Sequence, residues 1–306
     1  MDNPIVCRVL TGPTASGKTE LGVRLAREAG WEILCMDSMQ IYRRMNIGTA
    51  KPTPEEMHGV PHHLLDLCEP TDQYTVTEYR SAAERLVMDL HGQGKEVLFV
   101  GGTALYLQSM MHPMGMGQIP ANPELREELN REAATREGRE AIHRRLEKLD
   151  PVSAARLHIN DIRRVIRAIE VSETTGLPFS RQPVREDSPT GFQWKVVSTE
   201  LERPLLYERI NQRVTEMIRR GLKGEVASLL EEGVPENAQS MNGLGYKEMI
   251  PCIRGEYTLE EAAEAIRTGT RHYAKRQMTF LRREKQIHYV NTENVGAYEE
   301  IRRLLL

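Results

Sequence analysis

Along the chain, short unbroken apolar runs alternate with longer stretches in which apolar residues return every three or four positions. Ile5–Leu10 is the first run, and Glu32–Met36 and Glu96–Val100 follow at intervals that leave room for helices. Such short, largely apolar runs suit strands buried on both faces, and their alternation with amphipathic segments predicts a mainly parallel sheet. Leu21, Leu25 and Ala29 recur at four-residue spacing, which predicts a helix over Thr19–Ala29 with its apolar face on that sheet. From about Pro113 to Pro183 the texture changes: apolar positions keep helical spacing inside a dense mixture of charge, with no strand-like run. After a short polar linker, Gln193–Thr199 predicts a strand that returns the chain to the sheet, with helices beyond it. The expected class is α/β, a parallel sheet flanked by helices over residues 1–112 and 190–306, with an all-helical insertion at 113–189.

The first strand runs straight into Gly12-Pro13-Thr14-Ala15-Ser16-Gly17-Lys18-Thr19, a full match to G-x-x-x-x-G-K-[ST]. Two glycines allow a tight turn that aims backbone N–H groups inward, Lys18 adds a positive charge, and the Thr19 hydroxyl is placed to hold Mg²⁺. A helix begins there, so its N-terminus faces the bound phosphates. The expected fold is therefore P-loop NTPase-like, and the loop suits a di- or triphosphate, ATP among them. Ligands in open α/β sheets bind beyond the carboxyl ends of the strands, so the ends at Gly12, Asp37 and Gly101 are expected to converge on one crevice. The third end reads Gly101-Gly102-Thr103 where a motor NTPase is expected to carry a second metal-binding aspartate. Three chemistries stay open on these residues. A kinase would use the loop for ATP. A carboxylate at Asp37 could instead take a proton from a nucleophile attacking a diphosphate-bearing carbon, with diphosphate leaving. An RNA-binding protein could carry the loop as a vestige.

Composition narrows the setting more than the chemistry. The 306 residues exceed one small core, 40% are hydrophobic and 28% charged, and no apolar stretch approaches the length of a membrane span. The start Met1-Asp2-Asn3-Pro4 lacks the basic region and apolar run of a secretory signal, so a cytoplasmic protein is expected. Cys7, Cys35, Cys68 and Cys252 are widely separated, which indicates neither a zinc site nor a disulfide framework. A net charge of −3 gives no global attraction to nucleic acid, so such a partner must meet a local patch. Two stretches qualify. Asn160-Asp161-Ile162-Arg163-Arg164 with Arg167 forms a basic cluster in the insertion, and Ile266–His288 holds seven Lys and Arg against the single acid Glu284. Within it Arg267, Arg271 and Lys275 recur every four residues and Arg282 follows seven later, which is expected to line them along one helical face.

Five separated segments, in order, give the chain a resemblance to a known family. They are Asp37-Ser38-Met39-Gln40-Ile41-Tyr42, Asn46-Ile47-Gly48-Thr49-Ala50-Lys51-Pro52-Thr53, His62-His63-Leu64-Leu65-Asp66, Gly101-Gly102-Thr103 and Ala274-Lys275-Arg276-Gln277. With the phosphate loop, they closely resemble the tRNA dimethylallyltransferases, the bacterial tRNA isopentenyltransferases, from Pro4 to about Arg283. The resemblance implies transfer of a dimethylallyl group from dimethylallyl diphosphate to the exocyclic N6 amine of the adenosine just 3′ of the anticodon.

It also implies roles for residues. Gly12 to Thr19 would hold the diphosphate, with Lys18 and a Mg²⁺ on Thr19 neutralising charge on the leaving group, and one of Arg209 and Arg213 touching it. Asp37 corresponds to the general base and Thr103 to the threonine that positions the target base. Ser38, Met39 and Gln40 correspond to a tRNA-contact segment, as do Arg126 and Asn160, Asp161, Ile162, Arg163 and Arg164 in the insertion, which would clasp the anticodon stem-loop. Asn160 stands where the family most often shows Gln. Arg271, Lys275 and Arg276 would meet tRNA from the C-terminal segment, and Gly243-Leu244-Gly245-Tyr246-Lys247-Glu248 reads as a turn into a helix near it. The partners implied are tRNA and dimethylallyl diphosphate, with no membrane and a monomeric chain.

Overall fold

A computed structural model describes residues 4–112, 119, 121–182 and 191–306. The expected linker after Pro183 and the expected start of the insertion at Pro113 lie outside the described residues. The chain divides into two compact units, Met1–Met111 with Pro189–Leu306, and His112–Ser188. The strands are β1 (Ile5–Thr11), β2 (Glu32–Cys35), β3 (His62–His63), β4 (Val97–Val100), β5 (Phe192–Glu200) and β6 (Ile287–Asn291). Ahead of the insertion come α1 (Lys18–Ala29), α2 (Pro54–Met57), α3 (Val76–Gly92) and α4 (Ala104–Met111). The insertion holds α5 (Pro123–Glu132), α6 (Arg136–Leu149), α7 (Pro151–Arg156) and α8 (Ile162–Thr175). After it follow α9 (Arg203–Arg219), α10 (Leu222–Glu231), α11 (Tyr246–Ile253), α12 (Leu259–Leu281) and α13 (Ala297–Leu305).

In the larger unit the six strands form one sheet in the order β3-β2-β4-β1-β5-β6, every pair parallel. β1 lies between β4 and β5, with Val9 opposite Phe99 on one side and Val196 on the other. That central position explains its unbroken apolar run: Cys7 and Val9 pack beneath α3 and α4, while Leu10 packs with α1 and α13 on the opposite face. A further core joins Ile41, Tyr42 and Met45, just after β2, to residues of α9 through α12. The loop behind Asp37 is thereby built into the protein interior rather than left as a surface excursion.

The insertion unit has its own core, formed by Leu129, Ile142, Leu146, Val165, Ile166 and Ile169. Asp150 ends α6 and caps α7: its carboxylate accepts the N–H groups of Ser153 and Ser180 and both serine hydroxyls.

The four expected strands and the first helix are all present, with ends moved by one residue or so. β3 and β6 go beyond the expectation, and β6 corrects it, because the basic stretch Ile266–His288 is not one helix. α12 stops at Leu281, Arg282 is its C-cap, and the chain turns into β6 at Ile287. Arg282 ion-pairs with Glu200 at 3.3 Å instead of extending a helical stripe. No helix among the described residues is long and apolar enough to cross a membrane.

Candidate active site

The phosphate loop leaves β1 at Gly12, whose φ is +141°. A Cβ there would come within 2.2 Å of Thr199 Oγ1, so this corner demands glycine on both counts. Thr199, near the end of β5, lies 2.7 Å from Ser16 Oγ and donates from Oγ1 to the Thr11 carbonyl at 3.2 Å. It props the loop from beneath. Lys18 opens α1 and donates to the Pro13 carbonyl at 3.1 Å. Burial, reinforced by the nearby Arg213 charge and opposed by Asp37, brings its ammonium down to about 8. A cation so disfavoured is stabilised by any anion that enters the loop.

The second strand end supplies Asp37. Its Oδ1 accepts the Met39 N–H at 2.9 Å, which orients the carboxylate through its own turn. The third end, Gly101-Gly102-Thr103, lies alongside: Gly101 N–H reaches the Leu10 carbonyl, and Thr103 N–H reaches that of Met36. Thr103 Oγ1 accepts the Ser38 N–H at 3.0 Å, and Tyr273 of α12, whose hydroxyl pKa burial pushes upward, senses both Asp37 and Thr103. The Asp37 carboxylate lies close enough to Lys18, Arg213 and Tyr273 to influence the charge state of each, which places it between the phosphate loop and the Gly101–Thr103 turn. The three strand ends lie side by side, as expected, but Asp37 and Gly101–Thr103 are not among the residues that line the crevice next to the phosphate loop.

A crevice of about 1050 Å³ opens beside the loop, lined among others by Gly17, Lys18, Thr19, Lys51, Arg209 and Arg213. Arg209 lies against Gly17 and ion-pairs with Glu293 at 2.9 Å. Arg213 donates to the Thr49 carbonyl at 3.4 Å, and burial holds its pKa below the ordinary arginine value against the pull of Asp37. Arg209 and Arg213, one of which is expected to touch the diphosphate, both line this crevice.

Gln40 is half-buried and braces its own loop. Its amide accepts from the Cys35 thiol and donates to the carbonyls of Thr49 and Ala50. The segment carrying those carbonyls is anchored by Glu225, whose carboxylate accepts the N–H groups of Asn46, Ile47 and Gly48 and the Tyr246 hydroxyl. Lys51 links two of the recognised segments, donating to the Tyr42 carbonyl and pairing with Asp66 at 2.6 Å.

α12 closes the site. Its Gln277 is 5% exposed, accepts the Thr14 N–H at 2.9 Å and donates to the Gly102 carbonyl at 2.7 Å. The expected cationic stripe on this helix is broken up. Arg267 pairs with Glu260 and Glu264, and Arg271 turns toward α9, donating to Asn211 at 2.8 Å beside the Tyr207 ring. Lys275 and Arg276 remain exposed, with no carboxylate partner among the described residues.

In the insertion unit, Arg126 forms a two-pronged pair with Glu170, both bonds at 2.8 Å. Glu170 is fully buried and also accepts from Arg167 and from the Asn122 N–H. Both arginines therefore neutralise an internal carboxylate. Ile162 packs on the insertion core, Arg164 pairs with Asp161 at 3.2 Å, and Asn160 and Arg163 are exposed. Thr199, Glu225, Tyr273 and Gln277 escaped the sequence reading as site residues. Two of them did carry a signal, Thr199 as the last residue of a predicted strand and Gln277 as part of a recognised segment.

The profile of the IPP transferase family matches residues 40–284. The tRNA dimethylallyltransferase of Desulforudis audaxviator is 46% identical over 96% of this chain and 95% of its own length. That of Geobacillus kaustophilus is 41% identical over 96% and 94%. The crystal structure of the tRNA isopentenylpyrophosphate transferase from Bacillus halodurans superimposes with a TM-score of 0.69 at 37% identity, covering 97% of this chain and 98% of that one. A eukaryotic dimethylallyltransferase acting on tRNA gives 0.75 at 26% identity, over 94% of this chain and 74% of that one.

Proposed function

The chain belongs to the IPP transferase family, and from that premise we propose that it transfers a dimethylallyl group from dimethylallyl diphosphate to an adenosine of tRNA. The acceptor is the exocyclic N6 amine of the adenosine just 3′ of the anticodon, and diphosphate is released. The observation that carries this reading is the meeting of phosphate loop, Asp37 and Thr103 at one end of the sheet.

The adenine amine is a weak nucleophile because its lone pair is delocalised into the ring, so placement and leaving-group stabilisation must supply the rate. The N6–carbon bond forms as the carbon–oxygen bond to diphosphate breaks. Negative charge then grows on the diphosphate, where Lys18, Arg213 and the loop N–H groups can receive it. Asp37 takes the proton that the amine loses, and Thr103 holds the base edge. The Thr19 hydroxyl is exposed in the first turn of α1 and lines the crevice, and no group of three or more His, Cys, Asp or Glu suited to a metal occurs among the described residues. That donor set fits a Mg²⁺ held by one hydroxyl together with substrate oxygens, and the ion would neutralise diphosphate charge. A stacked base cannot reach such a crevice, so the adenosine is flipped out at a cost of a few kcal/mol.

The insertion would clasp the anticodon stem-loop through the exposed Asn160 and Arg163, and Lys275 and Arg276 would meet RNA phosphates. The phosphate loop, Asp37 and Thr103 meet within one copy of the chain, so the proposed site needs no second copy and a monomer is the proposed state; the cytoplasm is the proposed setting. Incubation with dimethylallyl diphosphate, Mg²⁺ and unmodified tRNA, beside a reaction with ATP and nucleoside acceptors, tests the class of chemistry. Prenyl transfer only in the first supports the reading, whereas ATP consumption with phosphorylation of the small acceptor would make the chain a kinase.

A further inference from the structure

The segment carrying Gln277 is flanked by exposed cations, yet Gln277 itself points inward and is 5% exposed. Its two amide atoms serve different loops. Oε1 accepts the Thr14 N–H of the diphosphate loop, and Nε2 donates to the Gly102 carbonyl beside Thr103. Only this orientation works, because the flipped amide would set N–H against N–H and oxygen against oxygen. Gly102 is matched to it: a Cβ there would stand 2.3 Å from Nε2. One side chain of α12 therefore ties the loop proposed to hold the electrophile to the loop proposed to hold the acceptor base.

We propose that Gln277 is a positioning residue that fixes the separation between the diphosphate loop and the acceptor loop, and so the approach of the amine to the reacting carbon. The inference rests on the prenyl-transfer reading. Gln277 touches neither substrate, and it acts through Thr14 and through Gly102 and its neighbour Thr103. Rate in a two-substrate transfer is steeply sensitive to the reactants' spacing, with a misplacement of about 1 Å costing on the order of 100-fold. Affinity for each substrate alone is not, because each loop keeps its own contacts.

The test is single-turnover prenyl transfer by the full chain, with separate binding measurements for tRNA and dimethylallyl diphosphate. Gln277→Met removes both hydrogen bonds at similar length, and Gly102→Ala expels the amide from the other side. Both variants are expected to lower the single-turnover rate by about 100-fold while leaving both dissociation constants close to wild type. In a Thr103→Ala background the loss from Gln277→Met should shrink, since both changes act on one loop. Unchanged rates in folded variants overturn the proposal, as does a loss matched by weaker tRNA binding, which would make Gln277 an RNA contact. Should Gln277→Met not fold, Gln277→Asn, whose shorter amide cannot span both loops, must show the same loss of rate without loss of affinity. A wild-type chain that transfers no prenyl group defeats the underlying reading instead, so the two failures are distinguishable.

Discussion

The Tyr246 hydroxyl donates to Glu225 at 2.6 Å, and the same carboxylate gathers three consecutive backbone N–H groups, those of Asn46, Ile47 and Gly48. Gly48 lies so close to the Tyr246 ring that a Cβ would come within 2.5 Å of it. The pair fixes the segment whose Thr49 carbonyl receives Gln40 and Arg213. Glu225→Ala is accordingly expected to cost about 2–4 kcal/mol, since it strands several half-buried donors. Tyr246→Phe removes one hydrogen bond and should cost about 1 kcal/mol. Urea unfolding of the two variants checks the order. Equal losses would mean that ring packing, not the carboxylate, holds the segment.

Asp37→Ala should lower turnover by about two to four orders of magnitude, the usual worth of a general base, with tRNA affinity largely kept. Steady-state kinetics beside a filter-binding titration measures both. A loss of tenfold or less would remove Asp37 from proton transfer.

The broken stripe on α12 makes a selective prediction about RNA. Removing the charge of Lys275 or Arg276 should weaken tRNA binding and flatten its salt dependence, by about one unit of slope for each phosphate left without its cation. Arg267→Ala should leave the slope alone, because that guanidinium is engaged by Glu260 and Glu264. Equal effects at all three positions would restore the continuous stripe expected from spacing.

Acid should loosen the insertion unit through Asp150. Burial opposes its ionisation, but hydrogen bonds from the side chains and N–H groups of Ser153 and Ser180 outweigh that, holding the carboxyl down at about 2. Because the folded value lies below the ordinary 3.8, the stabilisation is complete above the latter and is lost as pH falls through the former. It amounts to about 2 kcal/mol. The stability lost in Asp150→Asn, followed by urea unfolding, should therefore shrink between pH 6 and pH 2, roughly the span of that titration. A deficit constant with pH would assign the cap to geometry alone.

Much of this was legible because the informative signals are local. β1 and the phosphate loop lie within a few residues of each other, and the apolar run, the glycines and the lysine each state their requirement on the spot. The insertion was visible as a change of texture. β3 escaped because two residues have no readable period, and β6 because the preceding charge masked a short alternating strand. The larger blind spot was partnership at a distance. Gln277 meets Gly102 and Thr14 across separations of 175 and 263 residues, and nothing in its neighbours announces an inward amide. Arg126 illustrates the converse, since its partner, the buried Glu170, stands 44 positions away on another helix. Charge counts could not tell cations that face solvent from cations already spoken for.

Prenyl transfer to one adenosine leaves a defined mark, an added mass at one position of tRNA. After reaction of the full chain with unmodified tRNA, dimethylallyl diphosphate and Mg²⁺, nuclease fragments are weighed and released diphosphate is quantified. A single dimethylallyl addition on the adenosine 3′ of the anticodon, matched one for one by diphosphate, is the predicted result. Diphosphate release without a prenylated adenosine, or prenyl groups scattered over several nucleotides, would contradict it.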